Sequence, residues 1–195
     1  MGIHQQRKSE QGLEPWQQEE RRHVFWALYI LDTTTSFARE KPKYLPMADC
    51  DVDLALFADD TFTRDIFIPR IRLAQEQEKI YKAMYSTRAA RCSLSRRKKN
   101  FAQLVANLEE LEKSFPCISI HDTADCTVGC NGPHIQRELE FGFRTTRILL
   151  YRSQLESSNA KECVEDSIKC LKIFMDLKAE KFHIGAYSVI LRYLL

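Results

Sequence analysis

His121, Cys126, Cys130 and His134 are the side chains best suited by type to hold a metal ion, because imidazole nitrogens and thiolates are zinc's preferred donors and four of them complete its tetrahedron. Their spacing points elsewhere. Three residues separate the two cysteines where a compact zinc knuckle keeps two, and the histidines flank that pair rather than forming one of their own. Asp49, Asp51 and Asp53 alternate as a calcium loop begins, but glycine at the sixth position and glutamate at the twelfth are replaced by Leu54 and Asp60. Both groups read as surface loops, and neither a metal nor a cofactor is expected.

Candidates for proton transfer are equally sparse. Glu19, Glu20 and His23 fall within one helical turn, an acid beside a base, although dipole stabilisation and ordinary ion pairing are the usual work of such a group. Asp32 lies in an apolar stretch and needs a partner if buried; Arg21, Arg22 or Arg147 are the cations available, and a buried pair of this kind is structural more often than catalytic. No nucleophile elbow, phosphate loop or zinc-protease histidine pair occurs. No catalytic residue is assigned.

Charge is uneven. Lys82, Arg88, Arg91, Arg96, Arg97, Lys98 and Lys99 follow one another without an acidic residue, and the chain's net charge of only +2 means that the remainder is net acidic. A basic run of this length reads as a nuclear-localisation or phosphate-contacting patch, or as a solvated connection between helices. No aromatic residue is interleaved between Arg88 and Asn100, so base stacking has no support there.

The elements that must carry these residues are helical. Pro15 suits a first turn, and Val24, Phe25, Trp26, Leu28, Tyr29, Ile30 and Leu31 put apolar groups around most of a helix, which predicts a central helix buried on several sides and ending at Lys41-Pro42. Ile66, Leu73, Ile80 and Met84 recur at helical spacing, with Pro69 near the start. Phe101, Leu104, Val105, Leu108, Leu111 and Phe115 form a third stripe, begun by an Asn100–Gln103 capping box or a turn earlier at Ser95. Leu139, Phe143, Thr146 and Leu150 share one face of a fourth helix. Asn159 and Glu162 open a fifth, whose apolar face is expected at Val164, Ile168, Leu171 and Phe174, with Cys163 and Cys170 as small core residues. Ile184 to Leu195 continues apolar. The fold class is all-α, a bundle of about six or seven helices: a polar tail over 1–13, then a domain over 14–195 interrupted by the basic linker 86–100 and the loop 116–134.

With 195 residues, 44 % of them hydrophobic and 29 % charged, the chain has the composition of one globular domain. Its longest apolar run, Val24 to Leu31, is too short to cross a bilayer, which needs about 20 residues. Seven cysteines in no regular framework suggest a reducing compartment.

The run Glu20-Arg21-Arg22-His23-Val24-Phe25-Trp26-Ala27-Leu28-Tyr29-Ile30-Leu31-Asp32 resembles the signature helix of the fungal-specific transcription factor domain, the middle homology region of zinc binuclear cluster regulators. That family follows the helix with a Gly-Arg-Pro turn and an acidic stretch ending Asp-Val-Asp-Leu-Pro. Here Glu40-Lys41-Pro42 holds the turn, with the glycine and arginine replaced, and Asp51-Val52-Asp53-Leu54 matches the stretch, with Ala55 for its final proline. Ile80 to Ser86, Leu104 to Pro116 and Phe143 to Leu155 are similar to later helices of the family.

What the resemblance implies is a regulatory, non-DNA-reading module of a fungal transcription factor, acting in the nucleus (or the cytoplasm) and controlling transcription, for instance of a metabolic gene cluster. Its signature residues would be Arg21, Arg22, Phe25, Trp26 and Asp32, beside the basic patch Arg88, Arg91, Arg96, Arg97, Lys98 and Lys99. DNA would be reached only indirectly, through an N-terminal zinc cluster that this sequence lacks, so the domain is expected to be partial. Protein partners or a homo-oligomer, and a small-molecule effector, are the implied contacts; a membrane is not. Two further readings stay open: a stand-alone interaction or inhibitor protein derived from such a factor, and a small-molecule binder or enzyme on the same scaffold, using groups such as His23, Tyr29, Asp32 and Arg147.

Overall fold

The computed structural model describes residues 4, 12–52, 54, 67–115, 133–154 and 160–179. These build an all-α fold with no strand among them, made of five helices longer than a single turn. Helix α1 is Pro15–Ala38, α2 is Ile68–Ile80, α3 is Leu94–Lys113, α4 is Pro133–Arg152 and α5 is Ala160–Ala179.

Proline opens α1, and Glu14 N–H donates to the Gln17 side-chain carbonyl at 3.0 Å, which satisfies one of the groups stranded at a helix start. The helix ends at Ala38, before Lys41-Pro42, because two reversed hydrogen bonds close it: Glu40 N–H to Phe37 O and Lys41 N–H to Ser36 O, both 2.9 Å. This is a Schellman closure, and it places Glu40 at a φ of +55°, the left-handed region where glycine is preferred. It is at this position that the resemblance implies a glycine.

Burial on α1 differs from the expected all-round burial. Phe25, Trp26, Tyr29, Thr33 and Phe37 are buried, whereas Val24, Leu28 and Leu31 lie on an exposed face, each at least 42 % accessible. The central position belongs to α2. Eight of its 13 residues are buried, because α1, α3 and α4 all pack against it. Pro69 sits in its first turn, and a π turn, Tyr81–Tyr85, extends it and buries Met84.

Ser86 caps the short turn Thr87–Ala90 by accepting from Ala89 N–H. Ser93 then caps α3, its hydroxyl oxygen accepting from Arg96 N–H at 3.3 Å. The start of α3 therefore lies ahead of both Ser95 and Asn100, and most of the basic run is helical. On α4, Leu139, Phe143, Thr146 and Leu150 are all buried, as their spacing predicts.

Helix α5 presents the opposite side from the expected one. Asp166, Cys170 and Ile173 are buried, while Val164, Ile168 and Leu171 are exposed together with Met175. Electrostatics decides between two apolar stripes. Asp166 receives Arg144 at 2.9 Å and Arg147 at 2.5 and 2.8 Å, and Arg147 also reaches Glu112 of α3 at 3.1 Å. Arg144 also pairs with Glu140 on its own helix, at 2.7 Å, but turning the other stripe inward would take from both half-buried guanidinium groups the one carboxylate they share. Of the two cysteines expected in the core, Cys170 is buried and Cys163 is half-buried against α4, with its thiol 3.9 Å from the Ile148 carbonyl oxygen.

One cluster of buried side chains joins α2, α3 and α4 through Leu73, Ile80, Leu104, Leu108, Phe143 and Leu150. A second packs Phe25, Trp26 and Tyr29 of α1 on Ile71 and Ala74 of α2, closed by Val52. A third docks Cys170 and Ile173 of α5 on Phe141 and Ile148 of α4. Each large side chain so buried contributes roughly 1.5–3 kcal/mol.

Candidate functional site

Two consecutive residues of α2, Gln77 and Glu78, organise the polar interior. Both are almost fully buried, and about 100° of helical rotation separates them, so they serve different sides of the helix. Glu78 accepts from Tyr29 O–H at 2.7 Å, from the Lys43 ammonium at 2.9 Å and from Met47 N–H at 3.1 Å, and it pairs with Lys82 one turn on. Lys43 also donates to Thr33 at 2.6 Å and lies 3.4 Å above the centre of the Tyr29 ring, a cation–π contact out of water.

These contacts set the protonation states. Burial pushes the Glu78 carboxyl up, but the hydrogen bonds from Lys82, Tyr29 and Lys43 together outweigh it and hold the group at about 2. Burial lowers Lys43 from the usual lysine value, and the bond to Glu78 pulls it partly back. Burial, then the adjacent carboxylate, raises the Tyr29 phenol far above its ordinary value. The result is a fixed carboxylate with a matched set of donors.

Gln77 takes the other side. Its Nε2 donates to Thr146 at 2.8 Å, and its carbonyl accepts from Thr34 at 3.2 Å, tying α1, α2 and α4 together. It forms part of the wall of two hollows. A smaller one of about 120 Å³ lies between α1, α2 and the loop after α1, with Phe37, Pro42, Lys43 and Tyr81 around it. A larger one of about 290 Å³ opens between α1, α2 and α4. Small residues make that room: Ala27, Ala74 and Gly142 all line it, and a Cβ on Gly142 would stand 3.0 Å from Leu73 Cδ2, where α2 and α4 approach closely. Ile30, Leu73, Leu139 and Phe141 supply apolar walls, and Arg70 and Glu138 form an ion pair at its edge.

The residues singled out from sequence are distributed over several places. Phe25 and Trp26 are core side chains with no exposed surface, and Arg21 and Arg22 are partly buried nearby. Trp26 Nε1 has no hydrogen-bond partner among the described residues. Asp32 takes no arginine. Its Oδ2 accepts from Tyr44 N–H at 2.9 Å and Leu45 N–H at 2.8 Å, because the chain returning from the α1 end brings two unpaired amides to it. Arg147, the third cation considered for Asp32, is held by Asp166, whose hydrogen bond raises the guanidinium's affinity for its proton against the effect of burial.

The proton-transfer candidates are not gathered into one group. His23 is half-buried, its Nδ1 3.1 Å from Glu19 O and its ring stacked on Phe67. Tyr29 is committed to Glu78, Asp32 to the loop and Arg147 to α5.

In the basic patch, Arg88, Arg91, Arg96, Lys98 and Lys99 are exposed, while Arg97 turns inward and donates to Ser153 O at 3.3 Å. Lys82 leaves the patch for Glu78. No acidic residue balances the positive start of α3. His121, Cys126, Cys130, the side chain of His134, Asp53 and Asp60 lie outside the described residues, as do Ile184 to Leu195 and most of the tail and of the loop 116–134. Among the described residues no cluster of potential metal ligands occurs, and no helix is long and apolar enough to cross a membrane.

Comparison with known proteins gives this geometry its context. The sequence matches the fungal specific transcription factor domain over residues 1–176. The chain belongs to that family. It is 28 % identical over 127 residues to an ABC-transporter-regulating transcription factor of Aspergillus oryzae, and equally so to one of Aspergillus fumigatus; in each case 60 % of this chain and 14 % of the relative are covered. An uncharacterized transcriptional regulatory protein of Schizosaccharomyces pombe is 22 % identical over 185 residues, covering 86 % of this chain and 29 % of that protein. No solved structure matches. The chain thus spans less than a third of the length of these curated relatives.

Glu78, Gln77 and Asp166 were missed in the sequence reading. Each had a signal. Glu78 follows Ile71 and Ala74 at i+7 and i+4, Gln77 lies between Leu73 and Ile80, and Asp166 lies between Cys163 and Cys170 on one face. A polar residue on a buried helical face must have partners, so its position alone marks it.

Proposed function

We propose that this chain is the regulatory, non-DNA-reading module of a nuclear fungal transcription factor, working through partners and an effector rather than by catalysis. The observation that carries this is the family match across residues 1–176. DNA specificity would come from a separate zinc cluster segment, and target genes would include those of a metabolic cluster. The cavity between α1, α2 and α4 supports an effector role, since helical bundles commonly place ligand sites between their helices. Gln77 in its wall adjoins Glu78, which anchors the loop, so occupancy and loop position share one helix.

Fusing the full chain to an unrelated DNA-reading domain in a fungal reporter strain tests this reading. Expected is a reporter output that the fused chain raises or lowers several-fold, with no sequence-specific DNA binding by the chain alone. Sequence-specific binding by the isolated 195 residues, or an inert fusion of a folded chain, would overturn it.

A second reading, an interaction or inhibitor protein, draws on the exposed Val164, Ile168, Leu171 and Met175 of α5 and the exposed Val24, Leu28 and Leu31 of α1. A folded chain that sediments as a monomer at all concentrations would dismiss it.

A further inference from the structure

The polar groups around the larger cavity have a shared bias. Thr34 O–H is committed to Gln77 Oε1 at 3.2 Å, Thr35 O–H to Leu31 O at 2.7 Å and Thr145 O–H to Gly142 O at 3.0 Å. A threonine hydroxyl has one proton and two lone pairs, so each of these oxygens is left as an acceptor. The charges at the edge, Arg70 and Glu138, already neutralise one another. The remaining wall is predominantly apolar. A molecule entering the cavity meets hydrocarbon and hydroxyl lone pairs, and a net charge on it would lose its water without a free counter-charge in return.

Size narrows the class further. An apolar cavity of about 150 Å³ holds one benzene ring. The volume here, about 290 Å³, matches two fused rings. We propose that this cavity binds a neutral, flat, mostly apolar molecule of about two rings bearing one hydrogen-bond donor, as a phenol or aromatic alcohol does. The inference rests on the effector reading above and adds the site and the ligand chemistry to it. The donor hydroxyl pairs with the Thr34 or Thr145 oxygen, the rings lie against Ile30, Leu73 and Phe141, and Ala27 stands at the exposed side.

The test uses the full chain and three probes of one shape: 2-naphthol, 2-methylnaphthalene, which lacks the donor, and 2-naphthoate, which is an anion at neutral pH. Binding is read by ligand fluorescence, with circular dichroism as the check on folding. Expected is saturable binding of 2-naphthol, about tenfold tighter than either comparison probe, a ratio that one good hydrogen bond supplies. Thr34→Val/Thr145→Val, which keeps the shape, should abolish that preference while retaining the methylnaphthalene affinity. Ala27→Trp, at an exposed position, should close the mouth and lose both aromatic probes without unfolding.

No saturable 2-naphthol binding by the folded chain, equal affinity for all three probes, or binding indifferent to Ala27→Trp would each overturn the proposal. Repeating the reporter assay separates this from the wider reading. An Ala27→Trp fusion that binds no naphthol yet regulates normally in response to its natural signal removes this cavity from regulation and leaves the regulatory module standing.

Discussion

A single carboxylate, Glu78, holds Tyr29, Lys43, Lys82 and the backbone of Met47. Glu78→Gln keeps the shape but strands the buried Lys43 ammonium, and removing one partner of a buried pair costs about 3 kcal/mol; urea unfolding should show that loss, with a smaller one of about 1 kcal/mol for Tyr29→Phe. The pH dependence has a definite sign. Because folding lowers the carboxyl from 4.5 to about 2, its contribution is complete above about pH 4.5 and is lost as pH falls toward 2. Acid titration of Glu78→Gln should therefore lack that part of the decline. Glu40 offers the opposite case. A non-glycine side chain at φ +55° is strained, so Glu40→Gly should stabilise the chain by about 1 kcal/mol, less the weak exposed ion pair with Arg152, as a rise in melting temperature. The resemblance already marked position 40 as a glycine site. Spacing marks Glu78 as a polar residue on a buried face but does not reveal its donors, because they come from residues 29, 43, 47 and 82, and separation along the chain hides such a gathering.

At the scale of elements, periodicity found each of the five long helices, because apolar spacing and caps are local signals, but not the short turns Met47–Asp49 and Thr87–Ala90, and it put the start of α3 in a linker. It failed where two faces competed. On α5 both Val164-Ile168-Leu171 and Cys163-Cys170-Ile173 are acceptable stripes, and only the guanidinium pair of α4 decides between them. Asp166→Ala should therefore cost about 3 kcal/mol or more, since it leaves Arg144 and Arg147 without their common partner. Ile168→Glu, on the outward face, should change unfolding free energy by less than about 0.5 kcal/mol. Had the face been assigned by hydrophobicity alone, the two outcomes would be reversed; denaturant midpoints of both variants decide it. Similarly, α1 looked central because much of its sequence is apolar all round, yet α2, with a weaker pattern and a more polar average composition, is enclosed. Its Gln77 and Glu78 are paired with groups of α1, α4 and the loop after α1, which hydropathy does not register.

For the molecule as a whole, the exposed stripes on α1 and α5 set what association should look like. If they are contact surfaces, the folded chain should self-associate or capture a partner, and Ile168→Glu combined with Leu28→Glu should shift sedimentation toward the monomer while leaving the helical signal unchanged. The loop that follows α1 carries a consequence of another kind. Between Ala38 and Met47 the chain is tied at both ends: the Schellman closure fixes its start, Asp32 takes Tyr44 and Leu45, and Glu78 takes Lys43 and Met47. That stretch acts as a ruler. The exposed Tyr44 side chain can change freely, whereas Lys43 cannot, and one residue added or removed between Arg39 and Lys43 would shift every donor past its carboxylate at once. Length, together with the one lysine, is what this segment has to preserve.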